Sequence, residues 1–339
     1  MKRRSVACLA LASLGALSLA AQVTAGAPKK TSASRKSSRG QSKTAYRTPW
    51  GAPDLQGIWD FATITPLERP AALAGKDVLT SEEAAQFEKQ TLEQRNPDRR
   101  DGTREADVGR AYNQFWWDFG SKIIGTRRTS LVVDPPDGKI PSLTDEGKKR
   151  TAASAAKRSV PATGPEDRSL WERCIIAPNA GPPMLPSAYN NNVQIFQTPE
   201  SVIILNEMIN DARIVPLDGR PHVPAAIRLW RGDSRGRWEG DTLVVDTTNF
   251  REDTGFRGAT ASLHLVERFR RVDAYTLLYE FTVNDPATWT RPWSVALPMK
   301  KTEGPIYEYA CHEGNYGMVN LLSGARAQEK AAGESSNPR

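Results

Sequence analysis

The sequence predicts a mainly β protein: an up-and-down antiparallel barrel, or a strongly curved sheet, carrying an N-terminal helical insert at about 68–190. Three observations predict it. Strand signals recur at short intervals from 193 to 312, where helical periodicity is absent. Thr198-Pro199-Glu200-Ser201 and Val272-Asp273-Ala274 have the spacing of hairpin connections. In LWRGDSRGRWEGDTLVVDTTNF, residues 229–250, glycine recurs at 232, 236 and 240 beside charged residues before an alternating run begins, which reads as turn, strand, tight turn, strand. Within that run Leu243, Val245 and Thr247 share one face and Val244, Asp246 and Thr248 the other, so a carboxylate lies on the sheet among apolar neighbours.

From the N-terminus, Lys2, Arg3 and Arg4 precede an apolar run and then small residues at Val23, Thr24 and Ala25, the pattern of a secretory signal over residues 1–25. The run is shorter than the roughly 20 residues that span a bilayer, so no transmembrane segment is expected, and the mature protein should be periplasmic or secreted. Residues 26–47, rich in Ser, Lys and Arg, have too little apolar surface to offset ordering and read as a disordered basic linker able to make weak envelope contacts. Removing the three basic charges of the first segment and the seven of the second from the net +7 leaves −3. Nucleic acid is therefore not an expected partner.

A single domain should occupy 48–325. It opens with a strand at 57–61. Thr80 or Ser81 caps a helix over 81–95 that ends at Asn96-Pro97, a short strand enters a Pro/Gly turn near 131–140, and Thr144 caps a second helix to Arg158. Strands are expected near 193–197, 201–208, 212–216, 227–231, 236–239, 242–248, 262–271, 275–283, 291–299 and 305–312. Residues 326–339 read as a disordered tail.

Two cysteines, Cys174 and Cys311, follow the signal; in an exported chain they point to a disulfide, with a free nucleophilic thiol beside His312 as the alternative. No dinucleotide fingerprint, Walker loop or paired-histidine zinc motif is present, so neither cofactor nor metal is expected. The three histidines are His222, in a polar turn, His264, on a strand face with Val266 and Arg268, and His312, at the end of the last expected strand. Glu267 lies on the opposite face with Leu263, Leu265 and Phe269. If that face is interior, Glu267 needs an Arg, His or Tyr partner: either a structural pair with Arg213 or Arg291, or a catalytic carboxylate. His312 with Glu313, Asn315 and Tyr316 offers either a positioned imidazole for acid/base work or an ordinary strand cap. Trp116 and Trp117, with Phe115 and Phe119, either anchor the insert or line a pocket for an aromatic or sugar ligand.

The motifs TSLVVDPPDGKIP, Arg173-Cys174, LDGRPH, GDSRGRWEGDTLVVDTTNF, LVERF and EYACHEGNY together resemble an uncharacterised family of secreted bacterial proteins over most of 48–325. Gly57-Ile58-Trp59 is similar to the G-x-W that opens lipocalin-like barrels, which implies a central cavity with the tryptophan plugging one end. The resemblance implies no activity.

These readings lead to an exported, cofactor-independent acid/base enzyme, a lyase, isomerase or hydrolase, acting on an aromatic or lipid-like compound in the barrel cavity. Candidate proton-transfer groups are His312, Glu267, Glu313, His222 and His264; candidate binding groups are Arg213, Asn249, Trp116, Trp117 and Tyr316, with Arg213 or Asn249 stabilising an oxyanion. The alternatives are a non-catalytic binding protein for an apolar molecule and an envelope interaction module.

Overall fold

Ten strands form one antiparallel sheet in the computed structural model, which describes residues 46–99, 102–103, 113–313 and 315–335. The expected signal segment, most of the expected basic linker and the last four residues lie outside them. The strands are β1 (Gly57–Asp60), β2 (Val132–Asp134), β3 (Asn192–Gln197), β4 (Ser201–Asn206), β5 (Asp211–Pro216), β6 (Asp233–Glu239), β7 (Thr242–Thr248), β8 (His264–Arg271), β9 (Thr276–Asn284) and β10 (Trp293–Thr302). Their order is β5-β4-β3-β1-β10-β9-β8-β7-β6, with β2 added to β10. Sequential strands from β6 to β10 are neighbours, as short connections dictate. Long-range joins are made by β2 against β10 and by β1, which sits between β3 and β10 with Trp59 opposite Val193 and Lys301.

Alternation decides what each strand buries. In β9, Leu277, Tyr279, Phe281 and Val283 face the core while Thr276, Leu278, Glu280 and Thr282 are half-buried. The core draws on both ends of the sheet, from Val202, Ile204 and Val215 to Leu243, Val245, Leu265 and Phe269. No backbone ladder closes β5 onto β6 among the described residues, so the sheet has two edges. The edges nevertheless meet through side chains at Gly236, where a Cβ would lie 2.8 Å from Val215 Cγ1 and 2.6 Å from Leu217 Cδ2. Only glycine leaves room for that approach. The interior expected to form a cavity is filled along its length: Trp59, Phe269, Tyr279, Phe281 and Trp293 are fully buried in one cluster. Trp59 donates to the Leu55 carbonyl (2.9 Å), and the Arg271 guanidinium lies 5.6 Å from its ring centroid.

Three α-helices flank the sheet among the described residues. Helix α1 (Ser81–Arg95) starts in a capping box between Thr80 and Glu83 and sits over Ile64, Leu79 and Ile123. Helix α2 (Asp145–Arg158) is capped by Thr144, whose hydroxyl accepts from the Gly147 amide. Both match the sequence reading.

Helix α3 (Tyr316–Ser335) replaces most of the expected tail: alanine-rich sequence favours the helix, Ala325 is buried, and Arg326 donates to the Thr163 carbonyl (3.1 Å). Two expected strands are absent. Residues 227–231 form a single bridge, Leu229 to Phe250, because Asn249 (φ 59°) turns the chain at the end of β7. Residues 305–312 are irregular: β10 is paired on both sides, and the segment is held instead by side chains, with the Tyr307 amide donating to Glu207, Tyr309 beside Tyr189, and a Cys174–Cys311 disulfide. No described helix is long and apolar enough to cross a membrane.

Candidate functional site

Glu267 is fully buried, and three groups account for its carboxylate. Arg213 on β5 meets it with two guanidinium nitrogens, and the Tyr279 hydroxyl on β9 donates to Oε1 (2.8 Å). Tyr279 itself accepts from the Met184 amide (3.0 Å), which anchors the irregular 175–190 segment to the core. Burial works against the Arg213 charge, yet Glu267 outweighs it and holds the guanidinium above its ordinary range. Burial and the adjacent Glu267 push the Tyr279 phenol well above its usual 10.0, so it remains a donor. Every strong donor and acceptor here is spent within the protein. Of the two accounts of Glu267 the structure supports the ion pair, with Arg213 as partner; Arg291 instead meets Asp134 at the surface.

His312 does not join this pair. It is exposed just past the disulfide, as are Glu313 and Tyr316, and no side-chain hydrogen bond or ion pair links it to the core. Asn315 donates to the Glu172 carbonyl and ties the same knot together. Both cysteines are in the disulfide, which removes the thiol alternative.

The other two histidines converge. Asp246 projects from the outer face of β7, and its Oδ1 lies 3.0 Å from His222 Nε2 while Oδ2 lies 2.8 Å from His264 Nε2. His264 comes from the start of β8, the strand paired with β7. His222 comes from the loop between β5 and β6, which Asn249 pins by donating to the Val223 carbonyl (2.8 Å) and the Pro224 carbonyl (3.3 Å). Asp233 completes the arrangement: Oδ2 lies 2.8 Å from His222 Nδ1 and accepts from the Val223 amide, and Oδ1 accepts from Arg235 (2.8 Å). His222 thus has a carboxylate at each ring nitrogen. His264 uses one nitrogen, and its Nδ1 has no protein partner. The hydrogen bond to His264 holds the Asp246 carboxyl below its ordinary range; the same bond raises the His264 imidazole against a smaller opposing effect of burial.

The linkage has a defined sign. A raised His264 contributes stability below its unfolded value of 6.5 and loses it as pH rises through the folded value. A depressed Asp246 contributes above 3.8 and loses it as pH falls through the folded value. The pair therefore stabilises most between those two values. Titration of the His264 imidazole protons by NMR should give a midpoint above 6.5, and Asp246→Asn should lower it; an unchanged midpoint in the variant would show that the pair does not form in solution.

A second arrangement lies in a cleft of about 330 Å³ lined by Asp60, Trp117, Asp118, Phe119, Lys122 and Lys300. Gly120 (φ 78°) packs against the Ala62–Thr63 backbone so closely that a Cβ there would lie 2.9 Å from Ala62 C and Thr63 N, an approach that requires glycine. Burial, then the charges of Asp60 and Glu207, push the Asp118 carboxyl up to about 6, and burial raises Asp60 as well. Trp117 lines this cleft as the pocket reading expects, while Trp116 is 62% exposed and does not.

Sequence reasoning selected His222, His264 and Asn249 but placed Asp246 only on a sheet face; the motif it shares with Asp233, GDSRGRWEGDTLVVDTTNF, was the available signal. Asp60 and Asp118 carried none. Among the described residues no group of three or more His, Cys, Asp or Glu side chains is arranged to hold a metal ion. No family model, curated protein or solved structure matches the chain.

Proposed function

We propose that the protein is an exported, cofactor-independent acid/base catalyst of the lyase, isomerase or hydrolase type acting on a small aromatic or lipid-like compound. The observation that carries this reading is the Asp246 carboxylate shared by two of the chain's three imidazoles. Asp246 orients His264 through Nε2, which leaves Nδ1, on a side chain 41% exposed, as the atom open to a substrate proton. When His264 takes that proton, the carboxylate stabilises the imidazolium that forms. His222, held at both nitrogens by Asp233 and Asp246, keeps Asp246 and the 217–232 loop in register. The disulfide supports an oxidising, extracytoplasmic setting. The approach of β5 to β6 at Gly236 supports a lipocalin-like curl of the sheet, with the site on its outside.

Carriage of an apolar molecule has less support, because the side chains of Trp59, Tyr279 and Phe281 occupy the interior it would need. The test is turnover of a panel of aromatic esters, lactones and β-hydroxy acids by the oxidised mature protein. Asp246→Asn and His264→Gln should each lower kcat/KM by roughly 100-fold or more with melting little changed. Equal turnover in wild type and Asp246→Asn, or none across the panel, would refute the reading.

A further inference from the structure

Residues 150, 154 and 158 follow one another at four-residue spacing, so Arg150, Ser154 and Arg158 share one face of α2. That face forms one wall of a groove of about 860 Å³ whose other wall is the 252–259 loop, and Trp289, only 3% exposed, contributes to its floor. A second groove of about 560 Å³ shares Ser154, Arg158, Asp253, Gly255 and Arg257 with the first, so the two are continuous. Beneath them aromatic rings run without a break: Trp289 lies 5.6 Å from Trp293, and Phe256 is stacked on Trp293 at 6.2 Å with an interplanar angle of 14°. The groove therefore has an apolar bed large enough for a small ring system.

Its charges are matched unevenly. The three carboxylates that line the larger groove are already engaged: Glu68 accepts from the Ile140 amide (3.0 Å), Glu252 from the Ala261 amide (3.1 Å) and Asp253 from Arg251 (2.9 Å). The guanidinium groups are not so matched. Arg150 donates through Nη2 to the Ala287 carbonyl and the Thr288 hydroxyl, but its Nε is buried without any acceptor. Arg158 reaches only the Ser154 hydroxyl (2.6 Å). Arg257 stands in the left-handed region (φ 49°), and its side chain has no acceptor among the described residues. A buried donor left unpaired is costly, and an anion entering the groove would satisfy it.

We propose that this groove is a binding site for a small carboxylate with a planar apolar body, the carboxylate taken by Arg257 and the α2 arginines and the ring system laid on the bed over Trp289 and Phe256. The inference does not depend on whether His264 transfers protons.

The probe is 2-naphthoate, titrated calorimetrically into the oxidised mature protein and followed by ligand-observed NMR. The expected Kd is about 1 mM or tighter, the affinity usual ligand efficiency allows a molecule of this size. The neutral 2-naphthylmethanol should bind at least about tenfold more weakly, since a hydrogen bond to a charged group is lost. Arg257→Gly keeps the backbone conformation while deleting the guanidinium and should weaken naphthoate by a similar factor; Ser154→Trp should abolish binding by filling the groove. No naphthoate binding at about 10 mM, equal binding of acid and alcohol, or unchanged binding in both variants would each overturn the proposal. So would displacement of naphthoate by an equal concentration of inorganic phosphate, which would reduce the groove to an anion patch. The comparison of acid with alcohol needs no variant and decides the matter even if the substitutions impair folding.

Discussion

Arg213→Met should cost about 3–5 kcal/mol of stability, because it leaves the Glu267 carboxylate charged, fully buried and held by Tyr279 alone. For a domain of this size that corresponds to a fall in Tm on the order of 10 °C. The double variant Arg213→Met/Glu267→Leu removes both charges and should recover most of the loss, since apolar replacements of similar volume often match a buried ion pair. Urea unfolding of the wild type, both single variants and the double variant yields the coupling directly. A loss below about 1 kcal/mol in Arg213→Met would mean that the pair is solvated in solution. Arg213 bridges β5 and β8, strands from opposite ends of the hydrogen-bonded order, so the single variant should also loosen the contact between the sheet edges. Amide exchange in β5 and β6 should quicken more than in β9, which has a strand on each side.

Loss of the disulfide should be comparable in size. Cys174 and Cys311 are 137 residues apart, and closing a loop of that length restricts the unfolded chain by about 4–5 kcal/mol in the entropic account. The bond also ties down the irregular 303–313 segment, which no ladder holds. Cys174→Ala/Cys311→Ala should therefore lower the unfolding midpoint and expose this segment to protease under conditions where the sheet stays intact. Equal midpoints for the oxidised protein and the variant would show that the knot is closed by packing alone.

The two predictions rest on features that differed in how far the sequence revealed them. The disulfide could be inferred from the two cysteines that follow the expected signal segment. The partner of Glu267 was narrowed to a few residue types by alternation, because Leu263, Leu265 and Phe269 fix its face, but choosing Arg213 over Arg291 required knowing which strands close on one another. The strand at 305–312 shows the opposite error. Its alternation of aromatic and polar residues is real, yet a strand forms only where a neighbour has a free edge, and β10 has none. His312 was favoured for its place beside that supposed strand and lost its case with it.

By itself the sequence determined the strands β3 to β5 and β7 to β10, the caps of α1 and α2, and the placing of Glu267 and His264 on opposite faces of one strand. Each of these follows from side-chain period and local backbone chemistry, which act over a few residues. Only the tertiary structure decided that the interior is packed rather than hollow, that Arg213 reaches Glu267 across 54 positions, and that His222, Asp233, Asp246 and His264 meet on the outer face. Those contacts join a loop to three strands, and what places them is strand order and the approach of the two sheet edges, quantities fixed by how the whole chain buries its apolar surface and not by any local pattern.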